Sequence, residues 1–234
     1  MMKTAMIGLA AIAALGIATT SHAVYMVTLD AGTENQTEAL TGFGTTGSDM
    51  DGMGVTAFFA DFTSETVFWA DTAPGAGAAF GTGWKITEAG STFTGAWTLT
   101  NTTGKTLASI EIDAGLGDTV YDTDFGGAVG TAGSALGKSF ITSDDAGLDI
   151  IATYIDEVSL TGDAVVGDLF RSLRIDFQGH GHAGLASGHS PFRYVTDTDN
   201  IETAGDIDVI PEPTSLILLS TGFLGLLALK RRKK

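Results

Sequence analysis

Between Val24 and Pro213 the chain offers no amphipathic helix of useful length, and this constrains the fold more than any other feature. A stretch that long can bury a sizeable core as one domain, so strands must build it. Glycine supplies 32 of 234 residues, about twice its usual ~7 %. The glycines separate runs of Thr, Val, Ile, Phe and Trp, the composition of short strands and turns. The expected fold is all-β: a single antiparallel β-sandwich, with jelly-roll connectivity allowed by the pattern but not readable from it.

The first strand runs are Val24 to Leu29, Val55 to Phe62 and Thr66 to Trp69. The clearest alternation is Phe93 to Thr100, where Phe93, Gly95, Trp97 and Leu99 share one face. Turn residues follow at Asn101 to Lys105, and Leu107 to Asp113 returns with Ala108, Ile110 and Ile112 inward and Ser109, Glu111 and Asp113 outward. The pattern predicts a half-buried antiparallel hairpin with a loop of about five residues. Further strands are predicted over Leu148 to Leu160, Val165 to Phe177 and Phe192 to Thr196. In the second of these, Leu169, Arg171, Leu173, Ile175 and Phe177 are in phase.

Both ends of the chain differ from this body. Residues 1–23 read as a secretory signal peptide: Lys3 is the basic start, Ala5 to Ala18 the apolar core, and Ser21-His22-Ala23 the small-x-small site cut between Ala23 and Val24. The body then spans residues 24–208. At the other end, Pro211-Glu212-Pro213 precedes an uncharged apolar run from Thr214 to Leu229, and Lys230, Arg231, Arg232, Lys233 and Lys234 close the chain. As a helix, residues 214–229 would span ~24 Å, slightly short of the ~30 Å hydrocarbon core, a gap that snorkelling bases or local thinning covers. Five positive charges hold that end in the cytoplasm and place the body on the far side of the membrane.

A rigid Pro-Glu-Pro, a short hydrophobic segment containing Gly222 and Gly225, and a terminal basic cluster together resemble the PEP-CTERM sorting signal, here residues 209–234. The resemblance implies a partner, the membrane-embedded transpeptidase exosortase of Gram-negative bacteria that make exopolysaccharide. It implies processing near Pro211, Glu212 and Pro213, after transient anchoring by the C-terminal helix, and a cell-surface or extracellular-matrix destination. The body segment from Gly167 through Phe177 to Tyr194-Val195-Thr196-Asp197-Thr198-Asp199-Asn200 is also similar to the body endings of exported PEP-CTERM proteins.

Charge narrows the partners. All 28 acidic residues lie between Asp30 and Glu212, against six basic ones (Lys85, Lys105, Lys138, Arg171, Arg174 and Arg193), so residues 24–213 carry −22. That field repels phosphate backbones and excludes nucleic acid as a partner. With no cysteine, no disulfide staples the fold. Carboxylates two apart at likely strand ends, Asp122 and Asp124, then Asp197 and Asp199 with Asn200, are candidate ligands for structural calcium. Asp118 and the pair Asp206 and Asp208 extend the pattern, and acidic turns that bond their own backbone are the competing reading.

Other motifs carry less. Ala132 to Ser139 fits a relaxed phosphate loop with Ala for its first Gly, yet no buried strand precedes it, and a Gly/Ser loop is the better reading. His180, His182 and His189 could hold zinc, but they sit among glycines without a positioning helix. No Gly-x-Ser-x-Gly occurs, and nothing selects a glycosidase pair among so many carboxylates. Among aromatics able to stack on sugar (Trp69, Trp84, Trp97 and Tyr194), Trp97 reads as core and Trp84 as exposed. The function expected is that of an exported, non-enzymatic surface or matrix protein. A carbohydrate-binding module tethering exopolysaccharide is the first alternative, and a secreted hydrolase the second.

Overall fold

The computed structural model describes residues 25–42, 44–123, 130–134, 136–144, 148–178, 184–202 and 208–209. Residues 1–24 and 210–234 lie outside them, so the signal peptide with Ala23 and Val24, the sorting residues Pro211, Glu212 and Pro213, the helix 214–229 and the bases 230–234 are not described. Fifteen strands follow in order: β1 (Tyr25–Asp30), β2 (Asn35–Thr37), β3 (Leu40–Gly42), β4 (Gly54–Phe59), β5 (Ser64–Ala73), β6 (Ala76–Gly81), β7 (Trp84–Ala89), β8 (Trp97–Asn101), β9 (Leu107–Asp113), β10 (Thr119–Asp122), β11 (Asp149–Leu160), β12 (Leu169–Gln178), β13 (Phe192–Tyr194), β14 (Asp197–Ile201) and β15 (Asp208–Val209). The helical content among the described residues is two short 3₁₀ turns, Gly47–Asp49 and Ala114–Gly117.

The strands link in one curled order, β13-β8-β7-β6-β5-β4-β9-β12-β10-β14-β3, with β1, β2 and β15 joined through β11. Strands β4 to β8 form an antiparallel meander, which is local pairing rather than jelly-roll connectivity. The sheet is not wholly antiparallel as expected, because β1 and β2 both run parallel to β11. The expected hairpin does not form either. Strand β8 pairs with β7 and β13, whereas β9 pairs with β4 and β12. The turn at Asn101 to Lys105 therefore carries the chain between two parts of the sheet, and the strand before it starts at Trp97, with Phe93 in a turn.

The alternation nonetheless places the core. Trp97, Leu99, Ile110, Ile112, Leu173, Ile175 and Phe177 all enter one large apolar cluster. Within it Trp69, Trp97, Tyr194 and Phe140 form a continuous run of rings with centroids 5.1–5.9 Å apart, a spacing at which aromatic pairs attract beyond their buried area. The in-phase reading of β12 fails at its start: Phe170 joins the large cluster, while Leu169 joins a small one with Val120, Val158 and Ile201. That small cluster lies beside the acidic residues described next.

Candidate functional site: a buried triad of aspartates

Strand β10 lies between β12 and β14. The register puts Asp122 directly opposite Asp197 on β14 and Leu169 on β12. Asp199 stands two residues along β14 from Asp197, opposite Val120, so alternation turns all three carboxylates to one face. Each offers an oxygen within 4.8 Å of the others, and all three residues are buried.

The surrounding chain closes over this face. Ser134 Oγ donates to Asp122 Oδ2 (2.7 Å), and Thr131 donates through its amide and its hydroxyl to the carboxylate of Asp168, just before β12 (both 2.6 Å). The amide of Lys138 donates to the carbonyl of Asp122 (3.0 Å), and the amide of Asp197 donates to the carbonyl of Lys138 (2.9 Å). Gly137 passes so close that a Cβ there would overlap the carboxylate of Asp122, a contact only glycine permits. On the other side Thr92 Oγ1 donates to Asp197 Oδ1 (3.0 Å). Thr196, one residue earlier, accepts from Trp97 Nε1 through its carbonyl (3.2 Å) and shares a 2.6 Å hydrogen bond with the Tyr154 hydroxyl. The start of β14 is thus fixed from the core.

Asp199 differs from its neighbours: neither carboxylate oxygen meets a donor in hydrogen-bonding geometry, although the Ser134 hydroxyl and the Asp122 carboxyl lie near it, and the residue is fully buried. Burial pushes all three acids up to about 7, the Ser134 hydroxyl opposing it at Asp122 and Asp199 and the Thr92 hydroxyl opposing it at Asp197. Like charge adds to the rise, since Asp199 and Asp168 act on Asp122 and Asp197 acts on Asp199. Three carboxylates this close cannot all stay ionised and bare, so they must share protons or a cation.

The structure thus brings together Asp122, Asp197 and Asp199 from the sequence-derived ligand set. Asn200 points elsewhere: its Oδ1 accepts from Thr45 Oγ1 (2.8 Å) and its Nδ2 donates to the carbonyl of Asp49 (2.8 Å). Asp124 lies outside the described residues, as do His180, His182 and Asp206. His189 is half-buried, with Nδ1 2.7 Å from the carbonyl of Ser190. Asp118 caps the 3₁₀ turn before β10 in the left-handed conformation (φ 51°). Ser134 and Gly137 of the Gly/Ser stretch lie against carboxylates, the wrong charge for a phosphate cradle, and no helix follows among the described residues.

Trp84 is a correction. Rather than being exposed it is 2 % accessible, with its Nε1 donating to Glu65 Oε2 (2.6 Å). Thr82, between Gly81 and Gly83, also donates to Glu65 through its amide and its hydroxyl, so one carboxylate ties the turn to the tryptophan. Trp69, Trp97 and Tyr194 are buried too, so none of the four presents a face to a sugar. One acid went unnoticed in the sequence. Glu88 on β7 is buried with both oxygens unpartnered, and its place in phase with Trp84 and Ile86 was the signal for it.

This is an acidic all-β body without cysteine, built around one aromatic core and carrying a buried carboxylate triad. Residues 209–233 match the PEP-CTERM protein-sorting motif. The chain carries the signal of an exosortase substrate, which implies exosortase-dependent sorting and an extracellular or cell-surface fate. No curated protein and no solved structure matches the chain.

Proposed function

We propose that this chain is a non-enzymatic surface or extracellular-matrix protein, whose β body is the cargo and whose tail is the address. The observation that carries this reading is the sorting motif at residues 209–233, which begins where the body ends. Strand β15 pairs with β2 through Asp208 and Val209, so the chain leaves the sheet edge two residues before Pro211. Proline fixes φ and disfavours helix in the residue before it, so the sequence Pro211-Glu212-Pro213 favours an extended stretch over a helical one. The buried, closed character of the aspartate triad also supports a structural role, since catalytic metal and acid–base sites keep a position open to substrate.

The test is processing in the native host. Glu212→Ala and deletion of Lys230 to Lys234 each leave the full-length form in the membrane fraction, while the wild-type body reaches the surface in a shortened form. Equal surface delivery of all three would overturn the proposal.

A further inference from the structure

The geometry points to a divalent-cation site of calcium's size, formed by Asp122, Asp197 and Asp199 where β10 meets β14. Two ligands of one ion stand no further apart than twice the bond length, about 4.6–5.2 Å for calcium and about 4.0–4.2 Å for magnesium. One oxygen from each aspartate lies within 4.8 Å of the other two, inside the span that calcium bridges, and calcium's flexible shell of about 6–8 oxygens takes such a set more readily than the near-ideal octahedron that magnesium demands. Carboxylate oxygen is also the ligand type that hard cations take.

Asp199 supplies the independent observation. Asp122 and Asp197 each accept a hydroxyl hydrogen bond in good geometry, but Asp199 is fully buried and neither of its oxygens does, the nearby Ser134 hydroxyl being directed at Asp122. A buried carboxylate left bare is costly, and native folds satisfy such groups. Lys138 of the wrapping loop reaches the triad only through its charge, which acts on Asp197, because its ammonium is held by the carbonyl of Phe93 and sits 4.0 Å over that ring. None of the ion pairs among the described residues reaches the triad. A cation would pair all three charges at once.

The site has a structural consequence. Residues 197 and 199 lie on β14 and residue 122 on β10, so a bound ion cross-links the last long strand before the sorting tail to the body's interior. The loop through Ser134 and Gly137 is tied to the same carboxylates and tightens with them. The inference concerns the body alone and stands whether or not exosortase processes the tail.

Thermal melting of the full chain in detergent, in chelator and then with added calcium or magnesium chloride at constant ionic strength, tests it. Calcium at about a hundred times its Kd should raise Tm by roughly 5–10 °C, with magnesium raising it less. Asp199→Asn keeps the side-chain shape and removes the bare charge. It should melt higher than wild type in chelator and lose the calcium response, while Asp163→Asn on an exposed turn keeps that response. If Asp199→Asn fails to fold, Asp122→Asn is read in the same way. A wild type indifferent to calcium would show that protons alone neutralise the triad, and an unchanged calcium shift in the variant would place the ion elsewhere; either overturns the site. An equal response to magnesium would overturn the size assignment.

Discussion

Glu88 is the residue that most clearly separates what a side chain prefers from what the fold imposes. It lies on β7 opposite Gly77, fully inside, and neither oxygen meets a donor in hydrogen-bonding geometry. Burial pushes its carboxyl from 4.5 up to about 7, outweighing the nearby Gly47 amide, which opposes it. The folded state therefore holds a proton that the unfolded chain releases at lower pH. Full stability is present below about pH 4.5 and is lost progressively as pH rises through 7. Glu88→Gln removes the titration. Its melting curves should match wild type near pH 4 and show an advantage on the order of 3 kcal/mol near pH 8, because each tenfold change in proton affinity is worth ~1.4 kcal/mol. A difference that stayed constant across that range would mean that Glu88 does not change charge on folding. Asp199 shares this isolation but has two acids beside it, which is why a cation can answer there and a proton is the simpler answer at Glu88.

Among the elements, β12 holds the sheet together, pairing with β9, β10 and β11. Ile175 sits at its middle, fully buried and opposite Ile110 on one side and Ala152 on the other. Ile175→Ala should cost about 2–4 kcal/mol through lost burial and the cavity left behind. Met26→Ala on the exposed outer strand should cost under ~0.5 kcal/mol. Urea midpoints at unchanged m measure both, and equal costs would contradict the placement of the core. Strands such as β12 were legible because Leu173, Ile175 and Phe177 alternate with polar residues. Strand β6 was not, because Ala76 to Gly81 is almost all Ala and Gly; its small residues make room for the Trp69 and Trp84 rings, whose indole nitrogens a Cβ on Gly77 or Gly81 would strike. The β8–β9 hairpin was misread because a good local turn does not say which sheet neighbour each arm takes. The triad was half legible in the same way. Asp-x-Asp spacing shows that Asp197 and Asp199 share a face, and that spacing also turns Asn200 away from it. That Asp122 lies opposite depends on a register between distant strands, which no local pattern carries.

At the scale of the whole molecule, the net charge of −22 over residues 24–213 sets a repulsion that no set of local contacts reveals. The ion pairs among the described residues oppose it weakly: Lys105 with Asp61 is largely exposed, and Arg171 with Asp113 and Arg174 with Glu111 and Asp176 are partly exposed cross-strand or near-neighbour contacts. Screening length falls from ~30 Å at 0.01 M salt to ~3 Å at 1 M, so added salt weakens the many long-range repulsions more than the few close attractions. Melting temperature should therefore rise by a few degrees between about 20 mM and about 0.5 M potassium chloride. Chelator keeps divalent ions out of this measurement. Asp199→Asn should show nearly the same salt slope as wild type, because a monovalent salt screens the whole surface whereas the triad offers one buried pocket of charge. A Tm that falls with salt would mean that the arginine pairs outweigh the net repulsion. A slope that vanished in Asp199→Asn would mean that the charge governing this body is concentrated at β10 and β14 rather than spread over its surface.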